Sequence, residues 1–171
     1  RVRVRGESRL LAIIDYQMGN LRSVEKAFLR AGGDAIVTSS KSKITKAARL
    51  VLPGVGAFGD GMKELKKAGL IGVVKGAIAE GKPFFGICLG MQLLFQWSQE
   101  AAGIGGLGIF KGGVKRFSFS KRYKVPHMGW NQIKAVTRSG IRSSLLKNVP
   151  DNSYVYFVHS YYCKPADKGI I

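Results

Sequence analysis

Cysteine and histidine are scarce in this chain, two of each among 171 residues. Cys88 and Cys163 lie far apart in sequence. That excludes a disulfide scaffold or a Cys/His zinc cluster and fits free thiols in a reducing, cytoplasmic setting. The pattern implies neither a metal nor a cofactor. Acidic residues are few as well, ten against 28 Lys and Arg, for a net charge of +18. No apolar run approaches the roughly 20 residues of a bilayer span. No signal-type apolar segment follows the basic opening Arg1-Val2-Arg3-Val4-Arg5. Internal repeats, low-complexity tracts and interdomain linkers are missing. So are zinc-finger spacing, an RRM aromatic motif and a helix-turn-helix signal. The positive charge is dispersed over Lys41–Lys46, Lys63–Lys67 and Lys111–Lys124. It reads as solvated faces with a basic docking surface rather than a specific nucleic-acid site.

Against these absences stands an apolar content of 46%, enough for one domain with a full core. The chain has no initiator Met, and 1–9 reads as a basic leader, non-native or disordered, ahead of a domain over 10–171. Short apolar runs alternate with helical patterns. Strands are expected at Leu10–Ile14, Ala35–Thr38, Leu50–Leu52 and Phe84–Ile87. Helices are expected at Leu21 to about Ala31, capped by Asn20, at Ser42–Ala48, after a cap at Asp60, at Leu70–Ala79 and at Leu89–Trp97. Beyond Gly103, the Gly-rich β-type segment Gly105–Phe119, then Ile133–Val136 and Tyr154–Tyr162, read as a partly antiparallel extension. The fold class is α/β, a flavodoxin-like doubly wound and mostly parallel sheet. Ligands bind such sheets outside the carboxyl ends of the strands, where Asp15–Asn20, Pro53–Gly59 and Cys88–Gly90 fall.

Gly86-Ile87-Cys88-Leu89-Gly90 is the sharpest motif. A nucleophile between a strand and a helix forms a nucleophile elbow, whose crowded turn excludes bulk two residues either side of the thiol. A helix N-terminus there would lower the thiol pKa below its free value of roughly 8.5. The Leu89 N–H would face a developing oxyanion. Alone, the pentapeptide also reads as a structural Cys between small residues.

Five ordered segments carry a resemblance to a known family: Ile14-Asp15-Tyr16-Gln17-Met18-Gly19-Asn20-Leu21, Leu52-Pro53-Gly54-Val55-Gly56-Ala57-Phe58, Gly86 to Phe95, Pro126-His127-Met128-Gly129-Trp130-Asn131 and Tyr156 to Tyr162. From about Leu10 onward the chain resembles a class I, triad-type glutamine amidotransferase. Within that class it is most similar to the glutaminase subunits of imidazole glycerol phosphate synthases. Met91 and Pro126–Asn131 point to that branch. The resemblance implies hydrolysis of glutamine to glutamate and ammonia. The ammonia would be channelled to a (β/α)8-barrel cyclase partner that makes imidazole glycerol phosphate and an aminoimidazole carboxamide ribotide in histidine biosynthesis. Cys88 would be the nucleophile, and backbone N–H groups of Gly54, Val55, Gly56 and Leu89 the oxyanion donors. Gln92, one turn beyond Cys88 on the same helix face, would bind glutamine together with the Ser160 and Tyr161 backbone. Asn20, His127, Met128, Gly129 and Trp130 would face the partner and the ammonia path. Gln17 stands where the family usually has glycine.

The family's His-x-Glu pair, general base and orienter, has no counterpart. His127 and His159 already match other motifs, and His159 lacks a carboxylate orienter. The expectation is a chain cut before that segment, or less readily a pseudoenzyme, with little turnover alone but a reactive Cys88. Another triad amidotransferase, and a non-catalytic docking module of the same fold, stay open as alternatives.

Overall fold

The computed structural model of the chain describes residues 9–118, 124–135, 137–138, 141–142 and 144–167. Of the expected leader over 1–9, all but Arg9 lies outside them, as do Phe119, Val136 and the residues from 168 on.

Apolar, β-preferring runs build a parallel four-stranded sheet. It comprises β1 (Leu11–Ile14), β2 (Ala35–Thr38), β3 (Arg49–Leu52) and β4 (Phe84–Gly86), in the order β2-β1-β3-β4. All of β1 and most of β3 are buried on both faces, which is why these strands read as continuous rather than alternating. Helix α1 (Leu21–Arg30) covers one face. Its Leu21, Val24 and Phe28 pack on Leu11, Ile13, Ala35 and Val51, while Ala27 is exposed. The Asn20 side chain caps it, accepting from the Ser23 N–H at 3.3 Å. Helices α2 (Lys41–Lys46), α3 (Phe58–Lys67) and α4 (Ile71–Ala79) bury Ile44, Phe58, Leu65 and Val74 in the larger core with Ile14, Leu50 and Leu52.

Three expectations give way. The cap at Asp60 is displaced: α3 begins at Phe58, whose N–H is taken by the Glu100 carboxylate at 2.8 Å, and Asp60 sits in the first turn. The helix expected over Leu89–Trp97 stops after one turn, α5 (Leu89–Gln92), and β5 (Phe95–Ser98) follows. Tertiary pairing decides this, because β5 lies parallel beside β6 (Phe110–Arg116) and Phe95 packs on Phe110 with centroids 5.7 Å apart. The strand expected at Ile133–Val136 lies earlier, as β7 (His127–Ile133).

The remainder is the expected antiparallel extension. Strand β7 pairs with β10 (Ser153–His159), and β6 with β11 (Tyr161–Pro165). Between them, β8 (Thr137–Arg138) and β9 (Ile141–Arg142) form a short hairpin. The stretch Tyr154–Tyr162 is therefore two strands in two sheets, joined at Ser160. Among the described residues no helix is long and apolar enough to cross a membrane.

Candidate active site

The sheet order reverses direction between β1 and β3, so a crevice opens where their carboxyl ends diverge. Three loops leave the sheet at that edge. Cys88 stands on the third with φ 53° and ψ −113°, a strained conformation for a residue with a side chain. The side chain is exposed.

The neighbouring glycines explain how this turn is reached. A Cβ on Gly90 would lie 1.8 Å from the Leu52 carbonyl oxygen, and one on Gly86 2.6 Å from the Cα of Met91. The chain folds back so tightly between strand and helix that only hydrogen fits at either position. The elbow expected from Gly86–Gly90 is present in full, although the helix behind it is one turn and contributes only a fragment of a dipole.

Above the elbow lies the loop after β3. Gly54 is a buried spacer: its added Cβ would meet the Tyr16 hydroxyl at 2.4 Å, the Leu89 Cβ at 2.9 Å and the Gly90 nitrogen at 3.0 Å. The glycine loop thus rests directly on the elbow. Tyr16 underpins it, donating its hydroxyl proton to the Pro53 carbonyl at 2.8 Å while fully buried. Burial, and then the neighbouring Cys88 sulfur, raise the Tyr16 pKa, so this donor stays protonated. Beyond Gly54 the loop turns outward, with Val55 exposed and Gly56 at φ 98°. The Leu89, Val55 and Gly56 N–H groups form no backbone hydrogen bond with another described residue.

These parts line one cavity of about 410 Å³, shared by Val55, Gly56, Cys88, Leu89, Gln92, Glu100, Pro126, Val158, His159, Ser160 and Tyr161. That volume suits a small metabolite. Every expected nucleophile, oxyanion and substrate residue except Gly54 lines it, and Gly54 is buried against Leu89 and Gly90. Glu100 was not foreseen. Among the described residues it is the one carboxylate on the wall, and its Oε2 also holds the Phe58 N–H. Its sequence signal was nil, because a lone acid just beyond an expected helix reads as solvated surface. Cys163 is half-buried, its thiol pushed up to about 11 by burial and by the Cys88 sulfur.

The residues expected to face a partner divide. Strand alternation puts His127 and Trp130 on opposite faces of β7. Met128 and Trp130 join Tyr154, Tyr156 and Val158 on an outward face where all five are at least 55% exposed. His127 turns inward, stacked on Phe157 at 4.8 Å. Gly129, at φ 135°, sits opposite Phe157 in the ladder. Asn20 is occupied as the cap of α1. Gln17 adopts φ 68°, with its N–H bound to the Asp15 carboxylate at 2.9 Å. That left-handed turn is why glycine suits the position.

A doubly wound sheet carrying an exposed thiol on a strained strand-to-helix turn defines an α/β protein of the nucleophile-elbow class. The chain belongs to the class I glutamine amidotransferase family, whose pattern matches residues 12–171. It is 47% identical over 165 residues to the imidazole glycerol phosphate synthase subunit HisH of Rhodopirellula baltica, covering 95% of this chain and 77% of that protein. It is 46% identical to the subunit of the same name from Geobacter metallireducens, with 94% and 77% covered. Among solved structures, a glutamine amidotransferase superposes with a TM-score of 0.70 at 18% identity, covering 92% of this chain and 76% of that one. That likeness speaks for the fold.

Proposed function

We propose that the protein is the glutaminase subunit of an imidazole glycerol phosphate synthase, acting in histidine biosynthesis in the cytoplasm. It hydrolyses glutamine to glutamate and ammonia and hands the ammonia to a (β/α)8-barrel cyclase subunit. The observation that carries this is the single cavity in which the exposed Cys88 meets the Leu89 and Val55–Gly56 backbone and the Ser160–Tyr161 segment. The thiolate adds to the side-chain amide carbon of glutamine, and the oxyanion takes hydrogen bonds from those free N–H groups. Collapse of the adduct breaks the C–N bond and expels ammonia, the nitrogen taking up a proton. Water then cleaves the thioester to glutamate and restores the thiol. Gln92 binds the substrate beside the nucleophile, the Ser160–Tyr161 backbone holds its amino-acid end, and the Glu100 carboxylate faces its ammonium.

The outward face of β7 and β10 supports the partner assignment. A contiguous patch of Met128, Trp130, Tyr154, Tyr156 and Val158 has the aromatic and methionine content of an interface core. It adjoins the cavity through Val158, which lines it, so ammonia formed at Cys88 has a short way to that face.

One observation favours a non-catalytic docking module. His159, the histidine on the cavity wall, has both ring nitrogens engaged, with Tyr161 and His127, and is not free to take the Cys88 proton. Calorimetric titration of the Cys88→Ala protein with L-glutamine separates the two. The glutaminase reading predicts saturable binding at micromolar to millimolar glutamine, weakened at least tenfold by Glu100→Ala. Absence of glutamine binding would leave the docking module.

A further inference from the structure

The chain passes from one sheet to another at Ser160, and the wall of the Cys88 cavity is made at that crossing. Strand β10 ends at His159 opposite His127, and β11 begins at Tyr161 opposite Arg116. The Ser160 carbonyl accepts from the Phe117 N–H at 2.9 Å. That one backbone bond ties the joint to the β6 side, and side chains must supply the tie to the β7 side.

The His159 side chain reaches across it, backed by His127 and Asn131 of β7. His159 Nδ1 lies 2.9 Å from the Tyr161 carbonyl oxygen. A carbonyl only accepts, so Nδ1 carries the proton and Nε2 is left with its lone pair. Nε2 is 3.0 Å from His127 Nδ1, which must therefore donate. That leaves His127 Nε2 as an acceptor, and the Asn131 amide nitrogen faces it at 3.4 Å. The amide orientation is fixed in turn, since Asn131 Oδ1 accepts from the Gln132 N–H at 2.8 Å. Every donor and acceptor in the series has one consistent assignment, running from Asn131 through His127 and His159 to Tyr161. Aromatic contacts brace the rings: Phe117 meets His159 edge-on at 4.9 Å, and Phe157 stacks on His127.

We infer that His159 is a positioning residue for the substrate wall: held in its Nδ1–H tautomer by His127 and Asn131, it fixes the Tyr161 carbonyl and with it the Ser160–Tyr161 segment facing Cys88. It acts through the backbone and touches no reacting atom. This rests on the glutaminase reading, in which that segment holds the amino-acid end of glutamine.

The test uses a glutamine-shaped chloroketone, whose saturable alkylation of Cys88 separates recognition from reactivity, alongside iodoacetamide, which needs no recognition. The probe should saturate with the unsubstituted protein. His159→Leu should raise the half-saturating concentration about tenfold, leave the limiting rate within about twofold and leave iodoacetamide alkylation unchanged. His159→Asn, which keeps a donor near the Nδ1 position, should recover most of the loss, and His159→Gln, whose amide reaches the Nε2 position, should not. Unsubstituted half-saturation in His159→Leu would overturn the positioning role while leaving the glutaminase reading intact. So would equal losses in the Asn and Leu variants, or a matching change in iodoacetamide rate. Failure of the probe to saturate with the unsubstituted protein would overturn the glutaminase reading and this inference together.

Discussion

At the scale of single residues, the account depends on where a β-carbon cannot go. Gly90 offers the sharpest case, since 1.8 Å from a new Cβ to the Leu52 carbonyl leaves no rotamer escape. Gly90→Ala should therefore force strand and elbow apart, costing on the order of 3 kcal/mol or more, read as a fall in the denaturant midpoint. Gly72→Ala, where nothing lies within 4 Å of the added carbon, should be neutral or stabilising and serves as the control. The Cys163 thiol gives a pH signature. Its folded pKa, about 11, exceeds the roughly 8.5 of an unfolded thiol, so the folded state binds the extra proton between those values. The resulting stability is complete below about pH 8.5 and is lost as pH rises toward 11. The stability difference between the unsubstituted protein and Cys163→Ala should shrink across that window in denaturant titrations. A constant difference would mean that the thiol is not held protonated by its surroundings.

Elements show what the sequence could and could not say. The four parallel strands were legible because each is a short apolar run, with Pro53 closing the third. Residues Ala35–Thr38 were bounded to the residue. The nucleophile elbow was legible because its glycines are sterically compulsory. The helix after it was misread: from Phe95 the chain pairs with a strand fifteen residues on, a non-local contact that no periodicity records. The break at Ser160 was hidden for the same reason, as the residues on either side are equally strand-like. Alternation on β7 was readable in principle, and it separates His127 from Trp130. It also makes a prediction for the β7–β10 pair as a unit. Trp130→Ala on the outer face should weaken association with the cyclase subunit by about 2 kcal/mol or more, measured by calorimetric titration. Glutamine binding to the isolated protein should be left unchanged.

At the scale of the whole molecule, the sheet brings together segments nearly the full chain apart, from Tyr16 to Tyr161, around one sulfur. The +18 net charge contributes nothing to that convergence. The Lys67–Glu64 salt bridge lies at the surface of α3 and is worth little. What organises the site is apolar burial beneath it and glycine contacts within it. The most direct test compares alkylation at the two thiols by iodoacetamide near neutral pH, with peptide mapping, in the presence and absence of L-glutamine. The account predicts that Cys88 is modified first, that Cys163 stays largely unmodified, and that L-glutamine protects Cys88 saturably while D-glutamine does not. Modification of Cys163 ahead of Cys88, or a Cys88 rate indifferent to L-glutamine, would contradict it.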